Sequence, residues 1–259
     1  MIELKGLYAS YDGDEILHGI DARFPKGQVS VLCGPNGCGK STTVKALLRL
    51  VPEVRGEITI DGKPLSDFSQ KELAQRVAYV PQSRNVPDIT VYRLAMHGRF
   101  PYLSYPRRYR KEDHAHVHDA LRQMELLGLA QRKLESLSGG QRQKAYMAMA
   151  LAQDTDVIVL DEPTNFLDIR SQYELLTNVR TLTGMGKTVI MILHDFELIL
   201  HCADHVVLLG DGRVRAAGSA RAVLESDAAR ETFGVTPCFY ETSDGVHCYI
   251  KPQAIQKSI

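Results

Sequence analysis

The stretch that decides the reading is Gly34-Pro35-Asn36-Gly37-Cys38-Gly39-Lys40-Ser41-Thr42, a G-x-x-x-x-G-K-S phosphate loop. It follows the apolar run Val29-Ser30-Val31-Leu32-Cys33, which predicts a buried strand. It precedes Thr43-Val44-Lys45-Ala46-Leu47-Leu48, which predicts a helix reaching to about Leu50. Strand, glycine-rich turn and helix start are the context that makes such a loop credible. Glycines let the backbone curl and aim several N–H groups at one anion, and a helix N-terminus adds about half a positive charge. In that setting Lys40 reaches the β- and γ-phosphates of a nucleoside triphosphate, and the Ser41 hydroxyl ligates Mg²⁺. The plainer reading, a turn that binds nothing, is disfavoured because a chance match is rare and both flanks fit.

Two more stretches point the same way. Val157-Ile158-Val159-Leu160-Asp161-Glu162 is an apolar strand ending in two carboxylates. Ligands of open α/β sheets bind at the carboxyl ends of strands, so both groups can face one crevice. Asp161 would then hold Mg²⁺, directly or through water, and Glu162 would act on the water that attacks a γ-phosphate. An acidic turn before Pro163 is the simpler alternative, and it loses ground beside a phosphate loop. Leu137-Ser138-Gly139-Gly140-Gln141 precedes a helical run over 142–151. Ser138 and Gln141 have the spacing of a capping box, which accounts for both locally. The box does not explain Gly139 and Gly140, each costing about 1 kcal/mol against Ala in a helix. Bare N–H groups at a helix start suit a second phosphate-binding surface.

Composition sets bounds on what surrounds this chemistry. The 259 residues allow one sizeable core with a smaller subdomain. Lys plus Arg and Asp plus Glu are 31 each, so no bulk charge points to nucleic acid or acidic lipid. Five cysteines (33, 38, 202, 238 and 248) form no C-x-x-C pair, which fits a reducing compartment better than a disulfide framework. The N-terminus starts at once with strand-like alternation and lacks signal-peptide architecture. No apolar run approaches the ~20 residues of a membrane span. A membrane role must therefore be borrowed from a partner.

Along the chain, residues 2–10 and 16–24 alternate as strands around the turn Asp12-Gly13. Short strands are predicted at 57–60, before Asp61-Gly62, and at Val77-Ala78-Tyr79-Val80. From about 90 to 153 the pattern is mostly helical, and over 111–127 Val117, Leu121, Met124 and Leu127 fall on one helix face. Strand-like runs return at 156–160, 188–193 and 205–209. Uninterrupted apolar strands alternating with helices imply a parallel sheet covered on both faces. The class is α/β, and the tail after Pro237 suggests a last hairpin about Ser243-Asp244-Gly245.

With those stretches in view, the chain resembles the ATP-binding subunit of an ABC (ATP-binding cassette) transporter over about residues 1–235. The Leu137-Ser138-Gly139-Gly140-Gln141 signature is highly specific for that superfamily. The resemblance implies a P-loop NTPase cassette with a mostly parallel core sheet, an N-terminal antiparallel β subdomain and a helical subdomain. The cassette would span 1–236, with the helical part at about 85–155, and 237–259 would form a tail. It implies a homodimer in which the signature of one copy closes over ATP held by the other. It also assigns Tyr11 to adenine stacking, Gln82 to Mg²⁺ and water, Asp168 to an acidic loop at the dimer interface, and His194 to the γ-phosphate. A packed tyrosine and a histidine at a strand end are the ordinary alternatives for Tyr11 and His194.

Finer similarities resemble cassettes that drive uptake of iron–siderophore complexes, haem or cobalamin. They are Gln141 to Ala150, Thr164-Asn165-Phe166-Leu167-Asp168, Gly98-Arg99-Phe100-Pro101-Tyr102 and Thr232-Phe233-Gly234-Val235. That pattern often has Thr where Asn165 stands, a departure expected to leave the chemistry untouched. The implied partners are transmembrane permease subunits and, indirectly, a periplasmic or surface substrate-binding protein, at the cytoplasmic face of the inner membrane. A soluble ABC ATPase of iron–sulfur cluster assembly is the main alternative. A DNA-repair or ribosome-associated ATPase is disfavoured because long heptads and a second cassette are absent.

Three features invite other readings. His114-Ala115-His116-Val117-His118 suggests a metal site, yet only His114 and His118 share a helix face, so a solvated surface is expected. The basic and aromatic residues between Arg99 and Lys111 suggest nucleic acid, but zero net charge favours partner contact or plain surface. Cys38, at a helix N-terminus, is a place where a thiol pKa can fall, which would give a redox block on ATP binding, but simple filling of the loop is the expected reading.

Overall fold

A computed structural model describes residues 1–82, 86–243 and 245–252. The chain divides into two compact units, one of Met1–Leu65 with the stretch from Met191 onward, the other Ser66–Ile190.

The first unit opens with β1 (Ile2–Tyr11) and β2 (Asp14–Phe24), an antiparallel hairpin closed where Tyr11 faces Asp14. Both turn residues, Asp12 and Gly13, have positive φ, the geometry that matches the twist of the strands they join. β3 (Val29–Cys33) is buried at all five positions and leads through the glycine loop into α1 (Lys40–Leu47). That helix stops short of the expected Leu50, because Arg49 turns to φ 57. β4 (Glu53–Ile60) is longer than its expected 57–60 and pairs with β1, Ile2 facing Ile60; β5 (Lys63–Pro64) completes the antiparallel order β2-β1-β4-β5.

In the second unit, α2 (Gln70–Ala74) starts on a Ser69–Glu72 capping box and is followed by β6 (Val77–Val80). Then come α3 (Val91–His97), α4 (Lys111–Gln123) and α5 (Gly139–Ala152), the helical stretch. β7 (Val157–Asp161) runs parallel to β6, Val77 facing Val157, and is buried throughout. α6 (Ile169–Gly184) and β8 (Thr188–Ile192) follow, giving the order β8-β7-β6. The division between units falls inside β8.

α4 corrects one expectation. The helix ends at Gln123 and Glu125 adopts φ 58, so Leu126 is buried and Leu127, expected on the apolar face, is 37% exposed. A left-handed residue at a helix end rotates the following positions off the 3.6-residue period. The three helices are held together by Arg99, only 5% exposed, whose Nε donates to Asp113 Oδ1 at 2.9 Å and whose Nη1 donates to the Ala152 carbonyl at 2.8 Å. The same guanidinium lies 3.9 Å from the Tyr102 ring centre. Gly98 allows the close approach, since a Cβ there would meet the Met149 carbonyl oxygen at 2.2 Å. The 98–102 stretch is thus a packing device as well as a family cue.

Back in the first unit, α7 (Phe196–Cys202) is followed by β9 (His205–Gly210), which lies parallel to β3, and by β10 (Arg213–Gly218), antiparallel to β9. After α8 (Ala220–Leu224) and α9 (Asp227–Phe233), β11 (Val235–Thr242) and β12 (Gly245–Pro252) form a terminal hairpin. Asp244, at the expected hairpin turn, and residues 253–259 of the tail lie outside the described residues. Among the described residues no helix is long and apolar enough to cross a membrane.

Candidate functional site

The phosphate loop belongs to the first unit. Gly34 leaves β3 at φ 148, and a Cβ there would sit 2.2 Å from the Leu209 carbonyl oxygen and 2.7 Å from Cys38 Sγ. Gly39, at φ 102, ends the loop as the N-cap of α1, where a Cβ would strike Leu17 Cδ2 at 2.5 Å. Both positions combine a left-handed backbone with close neighbours, so only glycine fits. Lys40 is 5% exposed, and its Nζ donates to the carbonyls of Gly34 at 2.9 Å and Pro35 at 2.8 Å. The lysine therefore folds back over the loop that precedes it. Gly37 and Cys38 lie between, and Cys38 accepts the Gly212 N–H at its carbonyl, 3.2 Å. Pro35 is half-buried, Asn36 and Gly37 exposed, and Ser41 and Thr42 half-buried.

The thiol fits the loop-filling reading rather than the redox one. Burial pushes the Cys38 thiol above its ordinary value, with the Lys40 charge only partly opposing it, and Cys33 is pushed up to about 12, again chiefly by burial. A protonated, buried thiol is a poor nucleophile, so packing outweighs the helix terminus.

Tyr11 is half-buried at the end of β1, and His194 is half-buried two residues beyond β8. Asp195 then caps α7, accepting from Glu197 N at 2.8 Å and Leu198 N at 3.2 Å. Glu197 in turn accepts from His247 Nδ1 and, at 2.9 Å, from Cys248 N. The terminal hairpin is thus pinned to the first turn of the helix that follows His194, a link invisible in the sequence across fifty residues.

The second unit holds the carboxylates. Asp161, 3% exposed, ends β7 and accepts from the Tyr79 hydroxyl at 3.1 Å. Glu162 leaves strand geometry at φ 46, and its Oε2 accepts from Gln82 Nε2 and, at 2.6 Å, from Asn165 Nδ2. The two neighbouring carboxylates are therefore held by different partners. Gln82 and Glu162 line a cleft of ≈ 460 Å³ together with Gly139 and Phe166. Asn165, the departure from the family's more usual Thr, also lines it and binds Glu162 directly.

At the start of α5 the capping box forms: Gln141 N donates to Ser138 Oγ at 3.3 Å and Ser138 N to Gln141 Oε1 at 3.2 Å. Gly140 has a packing reason as well, because a Cβ there would meet Ser171 Oγ at 2.6 Å. Gly139 is looser, its nearest neighbour being the Phe166 carbonyl oxygen at 3.4 Å. Asp168 caps α6, and the Ser171 N–H, donating at 2.7 Å, holds its carboxyl below the usual range. Phe166, at φ 63, is 96% exposed and Ile169 75% exposed beside it.

The histidine run meets separate partners: His114 Nδ1 lies 2.5 Å from the Tyr92 hydroxyl, and Arg122 Nη2 donates to His118 Nδ1 at 3.1 Å. Among the described residues no group of three or more His, Cys, Asp or Glu could hold a metal ion.

Comparison with known proteins places the chain in a family. A family model for ABC transporters matches residues 17–165. The achromobactin transport ATP-binding protein of Dickeya dadantii is 40% identical over 236 residues, 90% of this chain and 88% of that protein. The iron(3+)-hydroxamate import ATP-binding protein of Bacillus subtilis is 36% identical over 236 residues, with 90% and 88% covered. A dimeric ATP-binding cassette solved in a post-hydrolysis state with ADP and Pi matches with a TM-score of 0.72 at 27% identity, covering 85% of this chain and 99% of that one. The chain belongs to the ABC transporter family.

Proposed function

We propose that the chain is the ATP-hydrolysing motor subunit of a bacterial importer for an iron–siderophore complex, haem or a cobalamin-type compound. ATP binding belongs to the family, and hydrolysis coupled to transport follows from it. The achromobactin and iron(3+)-hydroxamate relatives support an iron-chelate cargo, and they favour transport over iron–sulfur cluster assembly. The observation that carries the reading is the phosphate loop, a glycine-shaped backbone opening a helix with Lys40 folded over it.

In this reading residues 1–236 form the ATP-binding domain, with a helical subdomain at about 85–155 and a tail at 237–259. Gly34, Pro35, Asn36, Gly37, Cys38, Gly39, Lys40, Ser41 and Thr42 wrap the phosphates, and Tyr11 stacks on adenine. Glu162 takes a proton from the attacking water, Gln82 orients that water, and His194 steadies the γ-phosphate. Catalysis is then positioning plus charge stabilisation, as phosphoryl transfer requires. Ser41, Gln82 and Asp161 offer hard oxygen donors of the kind Mg²⁺ takes, and Asp161 is a buried carboxylate suited to a divalent cation. When bound, Mg²⁺ supplies charge neutralisation at the phosphate oxygens.

Two copies close over two nucleotides, Ser138, Gly139, Gly140, Gln141 and Asp168 of one facing the ATP of the other. The dimeric cassette among the matched structures supports this arrangement. The motor works from the cytoplasmic face of the inner membrane, bound to permease subunits and reached only indirectly by a substrate-binding protein. Nucleic acid has no part. Purification from membranes tests the reading. Co-isolation with a polytopic permease that stimulates ATP turnover is expected, whereas co-isolation with a cluster-assembly scaffold would overturn it.

A further inference from the structure

We propose that Asn165 is a positioning residue for Glu162, clamping its carboxylate jointly with Gln82; the inference rests on Glu162 being the group that activates water. Glu162 sits in left-handed backbone, at φ 46. A glutamate there is strained and its side chain is not aimed by strand alternation. Something outside the strand must therefore set its direction.

Asn165 meets that need twice. Its backbone N–H donates to the Glu162 carbonyl at 3.3 Å, closing a turn around the buried Pro163 and Thr164. Its Nδ2 donates to Glu162 Oε2 at 2.6 Å. The Gln82 amide donates to the same oxygen from a loop eighty residues away. Two amides converging on one carboxylate oxygen fix where that oxygen lies. Hydrogen bonds to a charged acceptor are about twice as strong as neutral ones. A misplacement of about 1 Å at a reacting group can cost a hundredfold in rate. An amide at 165 is thus a rate determinant that acts through Glu162.

The test is steady-state ATP hydrolysis by the full chain in complex with its permease, comparing Asn165→Ala, the isosteric Asn165→Asp and the hydroxyl-bearing Asn165→Thr. Ala removes the donor, and Asp replaces it with a second acceptor. Both should lower kcat about tenfold or more while KM for ATP stays within about twofold, and Thr should recover part of the loss. In a Glu162→Gln background, Asn165→Ala should leave residual turnover within about twofold, because no carboxylate remains to be aimed. Wild-type kcat in both the Ala and Asp variants overturns the clamp. So does a loss that tracks thermal unfolding or recurs in full in the Glu162→Gln background. Full turnover in Glu162→Gln itself would instead sink the reading on which the clamp rests.

Discussion

The phosphate loop and the Glu162 cleft reach a defined geometry by opposite routes. In the loop, Lys40 bonds carbonyls five and six residues behind it, and Gly34 and Gly39 hold backbone turns that close neighbours leave no room to widen. In the cleft, the decisive donors to Glu162 come from Asn165 nearby and Gln82 across eighty residues, and the carboxylate itself sits in strained backbone. The difference teaches that the loop is closed chiefly by its own backbone and lysine, with Leu17, Leu209 and Gly212 packed against it, whereas the aim of Glu162 depends in part on a donor eighty residues away.

The largest expected effect separates the two roles. Glu162→Gln should lower turnover about a thousandfold, roughly 4 kcal/mol of barrier, while ATP affinity stays within about twofold. Filter binding beside an ATPase assay checks it, and wild-type turnover would remove Glu162 from the chemistry. Next comes Arg99→Ala, which leaves Asp113 buried without its partner and should cost about 3 kcal/mol. Chemical denaturation reads it, and a cost under about 1 kcal/mol would show that the ion pair does not hold the helices. Lys40→Ala sharpens the contrast from the other side: nucleotide affinity should fall about tenfold or more with little change in folding stability. Unchanged affinity would deny the loop its role.

The smallest effect concerns the terminal hairpin. Glu197→Ala should loosen it by about 1 kcal/mol, seen as faster hydrogen exchange in β12. Burial alone would raise the Glu197 carboxyl, but the Cys248 N–H and His247, with His201 nearby, outweigh it and hold it below its ordinary value of 4.5. A depressed carboxyl contributes stability above that ordinary value and loses it as pH falls through the lower folded value. The opening free energy of the hairpin, from exchange corrected for its intrinsic pH dependence, should therefore fall only below about pH 4.5 in the wild-type chain and stay level there in Glu197→Ala. Identical acid profiles would break the link.

Much of this was legible because its physics is local. A glycine-rich turn between an apolar strand and a helix leaves few alternatives, so the loop over 34–42 could be read residue by residue. The apolar runs at β3, β7 and β8 announced buried strands for the same reason. Period alone misled where one residue broke it, as Glu125 did for Leu127, and how far burial outweighs the helix terminus at Cys38 is a property of its neighbours.

By itself, then, the order of residues determined the α/β class, the glycine loop between strand and helix, and the position of both carboxylates, since each depends largely on short-range sterics and on strand or helix periodicity. Only the tertiary structure decided that Asn165 and Gln82 share one oxygen of Glu162, that Arg99 ties three helices together, and that Glu197 anchors the hairpin. Hydrogen bonds between distant side chains leave no period in a sequence. They exist only once the packed backbone has brought their ends within about 3 Å.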